Sequence, residues 1–258
     1  MAQQTEPGQG CRMQRRDVLL MAAGMGLAGP AAFAQTQAQA QDLPRFSAAT
    51  PGDVAPPGWR HETLPKVERA NRYAIEADAG TRVLRIRSAA SASSLVATVA
   101  PMAGPRLQLR WRWKVSKALA GSDLRIKGGD DYAARLYVLF DLPAERLSLG
   151  DRLRIQAART LSGREIPAAA LCYVWGTAQP AGVSGWNPYT DRVRMVVADS
   201  GDPRAMQWQS HERDLQRDWA EAFPGPMPPV RAVAVGADTD NTGDSVDAWF
   251  GDVSLAAS

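Results

Sequence analysis

The chain has 258 residues, 45% apolar and 22% charged, an ordinary globular composition and enough for one large domain or two small ones. Thirty Lys and Arg against 27 Asp and Glu leave a formal charge of +3, which is weak steering. Only four of the basic residues are Lys (Lys66, Lys114, Lys117, Lys127), and nothing in this balance implies a nucleic-acid partner.

Paired Arg15 and Arg16 precede a mildly apolar run from Val18 to Ala28, too short to span a bilayer as a helix. Ala32-Phe33-Ala34 is a small-x-small cleavage site, and Ala38-Gln39-Ala40 is a second candidate. Residues 1–34 are therefore expected to be a twin-arginine signal peptide, and the mature protein to be periplasmic or secreted. Removing Glu6, Arg12, Arg15, Arg16 and Asp17 leaves 27 basic and 25 acidic residues, close to neutral. Cys11 leaves with the signal, so Cys172 stands alone and no intrachain disulfide is expected. The match of Gly24 to Gly29 to G-x-G-x-x-G lies inside the signal with no strand before it, which removes the nucleotide reading.

Residues 35–57, rich in Gln, Ala and Pro without periodicity, read as a disordered linker. From Gly58 short strands follow one another to the end of the chain. Val83–Arg87 and Leu95–Val99 come first. Leu107–Val115 alternates strictly, with Leu107, Leu109, Trp111, Trp113 and Val115 on one face and Gln108, Arg110, Arg112 and Lys114 on the other. Ala134–Phe140 sets Ala134, Leu136, Val138 and Phe140 against Arg135 and Tyr137. Leu171–Trp175, Val193–Val197, Met206–Ser210, Val230–Val235 and Val246–Leu255 complete the series. One helix is expected over Glu212–Phe223, where Leu215, Trp219 and Phe223 recur every four residues before Pro224-Gly225-Pro226. The pattern predicts an all-β, antiparallel β-sandwich or jelly roll over residues 58–258.

Candidate chemistry concentrates in two loops. In Asp238-Thr239-Asp240-Asn241-Thr242-Gly243-Asp244, oxygens at alternate positions before a Gly resemble the first half of a calcium loop, with Asp238, Asp240 and Thr242 as ligands of a Ca2+ ion. The twelfth position is Trp249, so an EF-hand is excluded; a polar turn explains the same residues. Lys127-Gly128-Gly129-Asp130-Asp131-Tyr132 places two carboxylates before a strand, suited to sugar hydroxyls, a metal or a capped turn. As sequence neighbours they should point apart. Arg110, Arg112 and Lys114, joined by Arg135, could grip an anionic polysaccharide, or pair with acids on the next strand.

All eight Trp lie beyond the signal. Trp111 and Trp113 belong to the core face, whereas Trp186 with Tyr189, and then Trp175, are the candidates for a sugar platform. His61 and His211 lack the spacing of a zinc protease, Cys172 reads as a buried small residue, and Gly182-Val183-Ser184-Gly185 is no nucleophile elbow.

The stretches Leu109–Val115, Gly129–Arg135, Leu171–Trp175 and Asp238–Gly243 resemble a bacterial family known as domain of unknown function 3047, over about Trp59 to Leu255. That resemblance implies no activity. Ala248–Leu255 is also similar to the last strand of galactose-binding-type jelly rolls, which implies the same fold class and no function.

Three readings follow. The first is a non-catalytic glycan-binding module using Asp130, Asp131, Arg135, Trp175, Trp186, Tyr189, Asp240 and Asn241. The second is a glycan-cleaving hydrolase or lyase pairing Asp130 or Asp131 with Asp240. The third is an envelope module that binds another protein.

Overall fold

The computed structural model describes residues 40–257, apart from 42, 53, 65–66, 105, 151, 154–155 and 157–167. The expected signal peptide and its first cleavage site lie outside the described residues. Fourteen strands are found: β1 (Ala40–Gln41), β2 (Arg60–Thr63), β3 (Arg72–Asp78), β4 (Thr81–Ala89), β5 (Ala92–Met102), β6 (Leu107–Val115), β7 (Tyr132–Phe140), β8 (Ala169–Gly176), β9 (Ser184–Asn187), β10 (Thr190–Ser200), β11 (Gln209–Asp214), β12 (Val230–Asp238), β13 (Ser245–Phe250) and β14 (Ser254–Ala257).

They form two sheets. Sheet A runs β1-β14-β6-β13-β4-β3, with β11 also paired to β6; sheet B runs β2-β5-β12-β7-β8-β10-β9. The sandwich is all-β, as the alternation implies. It is antiparallel except for β8 and β10, which run parallel. A parallel neighbour needs a crossover, and residues 177–189, which include β9, supply it.

The core lies between the sheets. The inward row of β6, from Leu107 to Val115, packs against Leu136, Val138, Tyr173 and Trp175 of sheet B. Trp113 is the hub: Trp111, His211, Phe250 and Trp175 ring it at 5.5, 5.6, 5.8 and 6.3 Å. Its indole Nε1 donates across the layers to Asp199 Oδ2 at 2.7 Å, and His211 Nε2 meets the same oxygen at 2.6 Å. A register shift between Val197 and Asp199 on β10 accompanies the inward turn of this fully buried carboxylate.

Several boundaries differ from the sequence reading. Val246–Leu255 splits into β13 and β14, because Gly251–Val253 leave the ladder where Gly251 N donates to Arg112 O at 3.0 Å. Residues 206–208 lie outside any strand, and the strand expected there begins at Gln209 and runs on to Asp214. The helix α1 (Leu215–Ala222) therefore starts three residues later than its periodicity suggests. Asp214 caps it, accepting from Gln216 N and Arg217 N at 3.0 and 3.2 Å. The expected linker is structured from Leu43 onward. Leu43, Phe46 and Ala49 are core residues, Phe46 stacks on Trp59 at 4.8 Å, and the Trp59 indole donates to Pro44 O at 2.9 Å. Gly58 makes this fit possible, since a Cβ there would lie 2.3 Å from the Pro44 ring. No described helix is long and apolar enough to cross a membrane.

Trp113→Phe keeps most of the ring contacts and removes the donor to Asp199. Asp199 Oδ2 keeps His211, so the loss is one hydrogen bond to a charged group, about 1.5–3 kcal/mol. The gap beside the smaller ring adds to it, and urea unfolding should show at least that loss with an unchanged m-value.

Candidate ligand-binding groove

Sheet B presents its other face outward, and only part of it is covered. Over β8 and β10, Leu124 and Tyr132 pack on Cys172, Val174, Met195 and Val197 as a second apolar cluster. Over β2, β5, β12 and β7 the face stays open as a groove of about 910 Å³. Strand register builds its floor in rows. Thr98, Ala232 and Leu139 make one row, Val96, Ala234 and Tyr137 the next, and Ser94, Gly236 and Arg135 the last. The depression follows from β12, which contributes only Ala232, Ala234 and Gly236 to these three rows. A Cβ at Gly236 would lie 2.8 Å from Ser93 O and 2.9 Å from Ser94 Oγ, so no larger residue fits without a shift.

Where the covered part begins, Arg135 lies 4% exposed with its guanidinium over the Tyr132 ring at 4.7 Å. It pairs with Asp130 Oδ1 at 3.2 Å and Asp238 Oδ2 at 2.9 Å, and donates to the Tyr137 hydroxyl at 3.1 Å and to Asp130 O. Asp130 Oδ2 accepts from Asn187 Nδ2 at 2.9 Å, tying in β9. A buried guanidinium holds its charge only beside such partners.

Asp131 points away from Asp130, as expected of neighbours. It is fully buried and organises the 238–244 loop: Oδ1 accepts from Asn241 Nδ2 and N at 2.9 and 3.3 Å, and Oδ2 from Thr242 N and Oγ1, both at 2.7 Å. Oxygens of Asp131, Asp238 and Asp240 lie within 4.8 Å of one another, the one such group among the described residues that could hold a metal ion. The calcium set expected from the sequence is changed by this geometry. Asp131 joins it, and Thr242 spends its hydroxyl proton on Asp131. With four bonds on Asp131 and Arg135 on Asp238, a guanidinium already sits beside the acids, and an ion would have to displace these bonds.

The eight expected ligand residues do not all meet. Asp130, Asp131, Arg135, Asp240 and Asn241 gather at this end of sheet B. Trp175 does not: it is fully buried between the sheets and its indole donates to Gly201 O at 3.0 Å. Trp186 shares β9 with Asn187 but faces the opposite way, edge-on to Phe223 at 5.3 Å and under Arg194 at 5.2 Å. Tyr189 is exposed, its hydroxyl donating to Lys127 O at 3.3 Å.

The cationic row is not a free grip. Arg110 forms a two-bond pair with Glu212 at 3.0 and 3.1 Å, Lys114 pairs with Asp78, and Arg112 lies over Trp208 at 4.6 Å. Arg135 belongs to the other sheet and cannot join them. Sequence reasoning missed Tyr137, Asn187, Ala234 and Gly236. Tyr137 carried a signal, since it alternates onto Arg135's face.

An all-β sandwich with one grooved sheet and a buried Arg–Asp cluster at the groove's end is the class these features define. The chain belongs to the family described as protein of unknown function (DUF3047), whose model matches residues 57–254. No curated protein matches the sequence. Among solved structures, the chain is similar to the enzymatically active domain of tailspike protein 4 of bacteriophage CBA120 (TM-score 0.38, 6% identity, 77% of this chain and 19% of that one). It is also similar to the family 11 carbohydrate-binding module of a cellulosomal cellulase of Clostridium thermocellum (TM-score 0.41, 6% identity, 85% and 95%). A cyclase from Fischerella sp. TAU is a third such structure (TM-score 0.38, 12% identity, 85% and 98%).

Burial pushes the Asp238 carboxyl well above the usual carboxylate range; Arg135 pulls it down, and Asp240 and Asp131 push it up again. A carboxyl that holds its proton more tightly folded than unfolded stabilises the fold most at acid pH. That contribution is complete below the unfolded value of about 3.9 and is lost as pH rises toward the raised folded value. The stability of the native chain relative to Asp238→Asn should therefore fall as pH is raised from about 4, measured by urea unfolding at stepped pH.

Proposed function

We propose that this protein is an exported, non-catalytic glycan-binding module, and that the groove of sheet B is its binding face. The carrying observation is the groove itself. It is an open trough of about 910 Å³, floored by aliphatic side chains and by Ser94, Thr98 and Tyr137, and it ends on a buried ion cluster. Ligand sites combine such apolar walls with a few convergent polar groups, and a sugar ring needs both, an apolar face to lie on and partners for its hydroxyls. The paired Arg15 and Arg16 with the Ala32-Phe33-Ala34 site support export.

Binding is favoured over cleavage by how the acids are held. A glycoside hydrolase sets two carboxyls about 5–10 Å apart across the bond it breaks. Here Asp131, fully buried, spends both oxygens on the 238–244 loop, and Asp130 is divided between Arg135 and Asn187. These bonds are those of a scaffold.

Ala234→Tyr projects a ring into the middle of the trough from the row that Ala234 shares with Val96 and Tyr137. The native protein should be retarded in gels containing its polysaccharide, and Ala234→Tyr should run at the unretarded position with an unchanged circular dichroism spectrum. Equal retardation of the two proteins would move the site elsewhere, and release of reducing ends would make the module an enzyme.

A further inference from the structure

We propose that the groove selects an uncharged sugar through two adjacent hydroxyls placed against the Arg135–Asp238 pair. The inference rests on the groove being the glycan site and adds the class of glycan it takes.

Charge decides the first half. Among the described residues three guanidiniums line the groove, and each faces a carboxylate of this chain. Arg60 pairs with Glu62, Arg231 lies 3.8 Å from Asp141, and Arg135 is held between Asp130 and Asp238. A uronate entering the trough would have to displace one of these partners. At the Arg135 end it would also meet the charges of Asp131 and Asp240, whose oxygens lie within 4.8 Å of Asp238. Repulsion between like charges is strongest in such a partly buried place. Among the described residues, the anionic polymer that the Arg110 row suggested thus finds no cation here without a carboxylate beside it.

Hydrogen-bonding capacity decides the second half. Arg135 is more than nine-tenths buried and lines the groove, yet its Nε–H has no acceptor. An unused donor in that setting is costly unless something meets it. Beside it, Asp238 commits Oδ2 to Arg135, whereas the backbone donor on Oδ1 is the Asp240 amide at 3.5 Å, the outer limit of a hydrogen bond. One ion pair therefore leaves an unmet donor and a weakly bonded carboxyl oxygen at the groove's end. Neighbouring hydroxyls on a sugar ring fit this pair, one oxygen accepting from Nε–H and the other hydroxyl bonding Oδ1. Because a hydroxyl both donates and accepts, it suits the Asp238 carboxyl whether or not that group carries its proton. The aliphatic floor of Val96, Ala232, Ala234 and Leu139 lies under the ring's C–H face.

The test uses the folded full-length protein and isothermal titration with three soluble classes: neutral glucan and galactan oligosaccharides, polygalacturonate oligosaccharides, and chitosan oligosaccharides. Binding should be confined to a neutral class. O-methylation of that glycan should abolish it, and Asp238→Asn should weaken it about tenfold or more. The methylated ligand needs no variant to fold, so it keeps the test open if Asp238→Asn unfolds. Polygalacturonate or chitosan binding as tightly as the neutral glycan would overturn the inference and leave the groove standing. So would full affinity for the methylated glycan. Binding by none of the three classes would overturn the groove reading itself.

Discussion

Arg135 is the constraint around which this end of the molecule is built. A guanidinium that is 4% exposed cannot shed its charge, so the chain must surround it with acceptors or leave it at a cost of several kcal/mol. Two acceptors come from either side of Arg135 in sequence, Asp130 just before β7 and Tyr137 within it, and the third from a distant place, Asp238 at the end of β12. Asn187 then attaches β9 to Asp130, and Asp131 fastens the loop after Asp238 by four bonds. One buried charge thus fixes two loops and an edge strand relative to the sheet.

The groove is the complement of that arrangement. The apolar cluster of Leu124 and Tyr132 covers Cys172, Val174, Met195 and Val197 on β8 and β10, and the small residues of β12 leave the groove beside it hollow. Had β12 carried Leu or Val at 232, 234 and 236, the trough would be filled. The same strand faces the core with Val233, Val235 and Ala237, so a single period of two supplies both the packing and the depression. Across the core, the Trp113–Asp199–His211 contact holds the layers together at the opposite end of the polar scale, as one buried acid serving two donors from the facing sheet.

The sandwich was legible because alternation is a direct imprint of a half-buried strand. Leu107–Val115 shows it without exception and matches β6 residue for residue. Edge strands were harder. Arg60-His61-Glu62-Thr63 has no apolar residue to alternate, and β9 is too short to show a period. The Glu212–Phe223 period was extended three residues too far because a β-strand feeds straight into the helix at Asp214. At the site, the two Asp-rich loops and Arg135 were found from composition, since charged residues beside Gly turns are conspicuous. The two Trp candidates lie away from the groove for a physical reason. A Trp ring serves a core as well as it serves a sugar, and facing is decided by register, which placed Trp175 inward and Trp186 on the far side of β9. Ala234 and Gly236 carry the groove by what they lack, and a missing side chain leaves no signal until the neighbouring strands are in place.

The central claim is that Arg135 ties the loop before β7 to the loop after β12. Hydrogen exchange of Arg135→Gln measures this directly. Removing the charge leaves Asp130 and Asp238 buried without their partner, a change that costs about 3–5 kcal/mol locally. Amides of Thr242 and Asn241 and those of residues 129–132 should lose protection together, while β6 keeps its own. Protection that persists in both loops, or is lost in one alone, would contradict the account.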